Sequence, residues 1–289
     1  MTDQDTLQRF LFDGTDIRGE ISTLANSYQD IIRRQKYPDS VAELFGEFLV
    51  AASLLSATLK FPGIITIQAT GSGPLNTIMT ECTQGNKLRG IVRGDLAAAA
   101  VGNVLSDFLG SATLAITIEP EGGERYQGIV PLDADNLSQC LEHYFNQSEQ
   151  LPTQIKLSAN REKASGVLIQ QMPSSQSREK IDADWQHTSA LLGTLKSEEQ
   201  LGLGHSEQLY RLFHEDGVRL FEPQNLNFFC SCSKQRTERA LISLGHTEVQ
   251  GIVDEQGAIL ITCEFCDEQY SFNQSNVDSM FDPDKPVLH

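Results

Sequence analysis

The 289 residues carry 39 Asp and Glu against 22 Lys and Arg, a formal net charge of -17. That sign is wrong for a chain that tracks a phosphate backbone, so nucleic acid falls well down the list of expected partners. With 39% hydrophobic residues the chain can bury at least one sizeable core and form two domains, which excludes wholesale disorder and a miniature stapled fold.

In chain order, Leu7 to Phe12 reads as a short strand, Ser22 to Gln35 as a helical stretch, and Asp39 to Leu59 as a longer helix capped by Asp39 or Ser40. The most apolar part of that helix, Phe48 to Leu59, is about a dozen residues where a membrane span needs about 20, so a buried core helix is expected. Strands follow at Gly63 to Ala69, Leu75 to Cys82 and Lys87 to Arg93, the first two joined by a turn at Gly71-Ser-Gly-Pro74. A further hairpin pairs Thr113 to Glu119 with Arg125 to Pro131. A helix is expected over Asn136 to Asn146, and strands at Gln154 to Ser158 and Gly166 to Gln171. Successive strands with short turns, mixed with helices but without strict alternation, give an α+β class with an antiparallel sheet.

Three segments are expected: a mixed domain over 1–172, a helical connector over 173–221, and a small C-terminal module over 222–289. The connector opens with Pro173-Ser-Ser-Gln-Ser177 and then places Leu191, Leu192 and Leu195, and later Leu209, Leu212 and Phe213, at helical spacing. Gly193, Gly202 and Gly204 each cost roughly 1 kcal/mol inside a helix, so marginal helices leaning on a neighbouring domain compete with an ordinary linker. The last segment holds 11 acidic and 4 basic residues. It reads as a helix over Thr237 to Leu244, ended by Gly245, and a hairpin of Ile252 to Glu255 with Ala258 to Cys263 about Gly257.

Four of the six cysteines fall in that module, as Cys230-Ser-Cys232 and Cys263-Glu-Phe-Cys266. Without a basic N-terminal region followed by an apolar core, no secretory signal is read, and a cytoplasmic, reducing environment is expected. There, clustered cysteines point to metal or redox chemistry rather than permanent disulfides. Two close pairs flanking a small insert can place four sulfurs at the corners of a tetrahedron, the geometry of a closed zinc site. Lys234, Arg236 and Arg239 lie close enough in sequence to offset the negative charge of such a cluster.

Three readings compete with a functional zinc centre: unrelated core cysteines, zinc that only holds the module together, and a thioredoxin-type motif at Cys263 and Cys266. The last needs its first cysteine at a helix N-terminus, whereas Ile259 to Thr262 and Tyr270 to Phe272 flank the motif as strands. His246 is read as a surface residue. Each pair is close enough for intra-pair oxidation where the backbone permits, and zinc-bound thiolate is the form that peroxide attacks. Because about 60 residues form a marginal core while thiolate-bound zinc supplies an apparent ~10 to 16 kcal/mol, losing the metal should unfold the module.

The chain resembles the redox-regulated 33 kDa heat-shock chaperone family over nearly its whole length. The resemblance is carried by Leu55-Ser-Ala-Thr-Leu-Lys60, Gly71-Ser-Gly-Pro74, Leu88-Arg-Gly90, Gly123-Glu-Arg-Tyr-Gln-Gly128, Ser148-Glu-Gln-Leu-Pro-Thr153, Gln171-Met-Pro173 and the two cysteine pairs. It implies a substrate-binding core (1–172), a metastable linker (173–221) and a zinc-binding redox switch (222–289). Cys230, Cys232, Cys263 and Cys266 would hold Zn2+ in an inactive reduced form. Oxidation would pair Cys230 with Cys232 and Cys263 with Cys266, release zinc and yield an active homodimer. Such a protein holds unfolding clients without ATP and passes them to ATP-dependent chaperones, with neither nucleic acid nor membrane as a partner.

Nothing points to an enzyme: nucleotide-binding loops, a nucleophile elbow and a His-Glu-x-x-His motif are all missing from the sequence. A zinc-stabilised nucleic-acid module is only the runner-up reading, with the net charge of -17 against it. Cys82 and Cys140 read as buried bystanders. Client capture leaves no motif; Leu191, Leu195, Leu212 and Phe213 are the candidates.

Overall fold

A computed structural model describes residues 3–83 and 86–282, so residues 283–289 of the expected third segment lie outside it. The chain divides into two compact units, one ending at Phe229 and one beginning at Cys230.

The first unit opens with β1 (Thr6–Phe12), β2 (Ile17–Leu24), α1 (Asn26–Gln35) and α2 (Asp39–Thr58). There follow β3 (Gly63–Gly71), β4 (Leu75–Thr83), β5 (Lys87–Gly94), short helices α3 (Leu96–Ala99) and α4 (Leu105–Leu109), β6 (Ala112–Pro120) and β7 (Tyr126–Pro131). Helix α5 (Leu137–Tyr144) runs into a π-helical turn at Phe145–Glu149, then come β8 (Thr153–Ala159) and β9 (Ala164–Gln171). Helices α6 (Arg178–Gly193), α7 (Ser197–Gly202) and α8 (His205–Phe213) and short strands β10 (Val218–Leu220), β11 (Gln224–Asn225) and β12 (Asn227–Phe228) complete the unit.

Two six-stranded sheets result. One has the order β10-β1-β2-β9-β8, with β11 also on β1; the other runs β12-β5-β4-β3-β6-β7. Pairing is antiparallel except between β12 and β5, confirming the α+β class. Helix α2 carries the main core: Phe45, Phe48, Leu49 and Leu54 pack with Leu168 of the first sheet and Ile67 and Ile78 of the second. In its most apolar 18-residue window, α2 is long and apolar enough to cross a membrane, yet 78% of that window is buried inside the protein.

The first sheet is covered on both faces. Leu7, Leu24 and Leu168 face α2, while Phe10, Phe12, Ile17, Ile21, Val167 and Ile169 form a second core with Leu192, Leu195, Leu209 and Phe213 from the helical segment. Gly19 makes room for that second core, because a Cβ there would sit 2.1 Å from the ring of Phe10, its register partner.

Several local expectations need correction. Residues 17–24, partly assigned to a helix from Ser22, form the central strand β2. Burial on both faces erases the alternation that marks a half-buried strand. Neither Asp39 nor Ser40 caps α2: Pro38 occupies the N-cap without a side-chain bond, and Ser40 Oγ instead donates to the carbonyls of Ala99 and Ala100. The glycines of the helical segment fall at its helix ends, Gly193 and Gly202 closing α6 and α7 and Gly204 preceding α8.

The second unit contains α9 (Lys234–Leu244), α10 (His246–Gln256), β13 (Ala258–Thr262), β14 (Gln269–Asn273) and α11 (Gln274–Met280). Residues 252–255, expected as a strand, belong to α10, whose Val249 and Val253 bury one face and whose end is closed by Gly257 in the left-handed region at φ 77°. The hairpin partner of β13 is β14, so the turn between them carries Cys263 and Cys266. The core of this unit is small: Leu241, Val249, Val253, Ile259, Phe272 and Val277.

Candidate metal centre

Local backbone chemistry places the four cysteines. At the hairpin turn, Cys263 N–H donates to the carbonyl of Glu268 (2.9 Å), Asp267 N–H donates back to that of Cys263 (2.8 Å), and Asp267 adopts φ 59°. This knuckle turns Cys263 and Cys266 to one side. The first pair precedes α9, whose N-cap Ser233 accepts from Arg236 N–H (3.2 Å). Arg236 in turn donates through Nη1 to the carbonyl (3.0 Å) and Oγ (2.6 Å) of Ser231, bracing the residue between Cys230 and Cys232.

The sulfurs of Cys230, Cys232, Cys263 and Cys266 all lie within 4.8 Å of one another, and all four thiols are free. Cys230 and Cys263 approach to 3.7 Å, Cys232 and Cys266 to 3.3 Å. Tetrahedral zinc with Zn–S of ~2.3 Å requires sulfurs roughly 3.8 Å apart, so the donor set fits such an ion in both chemistry and spacing. Burial raises the Cys230 thiol above its ordinary range, and burial together with neighbouring thiols pushes Cys266 strongly up. For Cys232 burial acts upward as well, but hydrogen bonds from Tyr270 and the other thiols outweigh it, and the group falls below its ordinary range. Four thiols this close cannot all ionise without a cation among them.

Tyr270 was not singled out in the sequence. Its hydroxyl donates to the sulfur of Cys232 across 3.1 Å, from the β14 position that pairs with Ile261. A tyrosine four residues after a Cys-x-x-Cys, on the returning strand, is the signal that could have found it. Of the three cations expected to offset the cluster, Arg236 bonds Ser231, while Lys234 lies over the ring of Phe272 at 5.5 Å. His246 is exposed beside Phe281, outside the sulfur cluster.

The remaining cysteines are set apart from this chemistry. Cys82 is fully buried on β4, and desolvation pushes its thiol up to about 12; Cys140 is buried on α5 and is likewise raised by burial. Neither is a nucleophile at neutral pH. Among the client-surface candidates, Phe213 and Leu195 are buried against the first sheet and Leu191 and Leu212 are partly buried there.

A family model described as Hsp33 protein matches residues 5–273. Curated proteins named 33 kDa chaperonin from Pseudomonas paraeruginosa and Pseudomonas aeruginosa are 44% identical over 284 residues, covering 97% of this chain and 96% of each relative. One from Pseudomonas fluorescens is 43% identical over the same length. The crystal structure of a 33 kDa chaperonin, a heat shock protein 33 homologue from Thermotoga maritima, shares the fold at a TM-score of 0.80 and 19% identity, covering 96% of this chain and 97% of that one. With a family match along most of its length and relatives at 44% identity that it spans almost end to end, the chain belongs to the Hsp33 family of chaperones.

Proposed function

We propose that the chain is a redox-gated, ATP-independent holdase, zinc-bound and inactive when reduced, and that it is not an enzyme. The observation that carries this reading is the set of four free thiols within 4.8 Å in a unit with a small core. A bound Zn2+ would hold Cys230, Cys232, Cys263 and Cys266 as thiolates and supply most of that unit's folding free energy.

Peroxide is the oxidant. Each pair, Cys230 with Cys232 and Cys263 with Cys266, gives up two electrons and forms one S–S bond, while peroxide is reduced to water. Two ligands are consumed per bond, so the donor set no longer holds the ion and the unit unfolds.

The chain connects this event to the apolar core under the helical segment. Cys230 directly follows Phe229, whose N–H donates to the carbonyl of Leu88 (3.0 Å) and whose ring lies under Lys87 Nζ at 4.3 Å. Upstream, β12 pairs with β5, β11 and β10 with β1, and β10 follows α8. These are pairings of only two or three residues, easily peeled. Their loss would free α8 and bare Phe10, Phe12, Ile17 and Ile21, an apolar face suited to unfolding clients. In this reading residues 1–172 bind clients, 173–221 form the metastable linker and the C-terminal module is the switch. The oxidised form is a homodimer, acts in the cytoplasm and returns clients to ATP-dependent chaperones.

The test compares aggregation of an unfolding protein in the presence of reduced and of peroxide-plus-heat-treated samples, with zinc release followed in parallel. Strong suppression by the oxidised sample alone, with zinc released, is expected. Equal suppression by both would remove the redox gate.

A further inference from the structure

At the C-terminal end of α2 a groove lies between the two sheets, with an apolar compartment of about 280 Å3 adjoining a more polar one of about 760 Å3. Leu55, Leu59, Ile65, Ile116, Ile118 and Phe145 line the apolar part, and Phe61 stands 39% exposed at its rim. Arg18 and Lys60 line both compartments and so stand where the two meet.

Arg18 is held in place by a neutral partner. Its Nε (3.2 Å) and Nη2 (2.7 Å) both donate to Oε1 of Gln170, which is 1% exposed and whose own amide donates to Thr153 Oγ1 (2.9 Å). Neither Arg18 nor Lys60 has an ion-pair partner among the described residues. The nearby acids are otherwise engaged or set apart. Glu20 acts on Arg18 electrostatically but makes its direct pair with Arg9 at 3.0 Å, so one carboxylate faces two guanidiniums; Glu149 accepts from Tyr144 Oη at 3.1 Å, and Glu222 borders only the polar compartment. A half-buried guanidinium without a direct ion-pair partner is costly, and an anion placed beside it recovers part of that cost.

The geometry points to a binding site for a medium-chain fatty acid, with the carboxylate between Arg18 and Lys60 and the alkyl chain in the apolar compartment. An alkyl chain suits that compartment better than a peptide would. Among the polar side chains lining it, Tyr144 is bonded to Glu149 and Arg18 to Gln170, so backbone amides lying beyond Lys60 would find few partners, whereas methylenes need none.

The test is calorimetric titration of the full-length, zinc-loaded, reduced protein with decanoate below its micellar concentration, alongside decanol and the Lys60→Gln, Arg18→Gln and Ile118→Trp variants. Saturable binding of one decanoate per chain is expected, with decanol binding about tenfold more weakly and each charge-removing variant losing about tenfold in affinity. Ile118→Trp, which fills the apolar compartment, should abolish binding. Lys60 is exposed and its replacement leaves the core untouched, so that variant decides the matter if the others fold poorly. Absence of saturable binding, equal affinity for decanol, or decanoate affinity unchanged in Lys60→Gln would each overturn the site.

Discussion

The ring of Phe213, at the end of α8, meets that of Phe12 on β1 edge to face, with 4.8 Å between centroids and an interplanar angle of 87°. Residues 201 apart in the chain are thereby joined in a core that includes only ten buried side chains, so each contributes heavily to docking of the helical segment.

Truncating Phe213 to Ala should weaken that docking by about 3 to 5 kcal/mol, the range for deleting a buried aromatic side chain. In the proposed mechanism the helices then leave the sheet without any change at the cysteines. Hydrogen exchange should show protection lost through α6–α8 and retained in α2, with zinc still bound and aggregation suppressed by the reduced protein. If the reduced variant stays as inactive as the parent while its helices exchange freely, the buried sheet face is not the client surface.

Tyr270 acts on the metal through Cys232. Its hydroxyl hydrogen bond to the sulfur orients the ligand and favours its thiolate. Tyr270→Phe keeps the ring and removes that bond, and zinc affinity measured by chelator competition should fall about tenfold, the lower end for losing such a partner. Unchanged affinity would show that the bond merely packs the hairpin.

How far the sequence reveals this architecture depends on whether local pattern or tertiary context decides each element. The hairpin strands β3 to β7 show alternation and turn residues, so they are readable. Strand β2 is not, because α2 covers one of its faces and the helical segment the other. Residues 252–255 mislead for a different reason: Ile252 and Val253 are β-branched, and only contact with Ile259 and Phe272 makes a helix of them. The cysteine quartet was legible because ligand spacing is a local constraint. Tyr270 was not, since its role depends on the register of β13 with β14. The groove beside Arg18 was equally hidden, since it forms where α2 ends between two sheets.

Removing the metal should act first on the second unit. Among the described residues its core has six buried side chains, too few to hold a unit of 60 residues against chain entropy. Chelation, or Cys263→Ser, should abolish its exchange protection and much of its helical circular dichroism, while β3–β6 stay protected. Because Cys82 and Cys140 are buried, Cys82→Ser and Cys140→Ser should leave zinc content unchanged. A second unit that keeps its helices without metal would count against a zinc-dependent switch.

Acid should loosen the helical segment by a route separate from oxidation. His205, the first residue of α8, is fully buried; its Nδ1–H donates to Gln8 Oε1 (2.7 Å) and its Nε2 accepts from Thr23 Oγ1 (3.0 Å). Gln8 is fixed in that orientation by its own donation to the carbonyl of Phe221 (3.0 Å). Burial pushes His205 down to about 4, against a smaller upward pull from Asp3, whose carboxylate accepts from His205 N–H. A histidine depressed in the folded state is stabilising above its unfolded value near 6.5, and that contribution is lost as pH falls toward 4. The loss reaches about 3 kcal/mol at most. Trp185, the single tryptophan, packs against this core and reports its opening by fluorescence during denaturant titration. The denaturant midpoint should therefore drop between pH 6.5 and 4 in the parent protein at constant zinc content. His205→Gln, which cannot titrate, should start lower and show a flatter dependence; an identical slope in both proteins would remove His205 as the origin of the acid sensitivity.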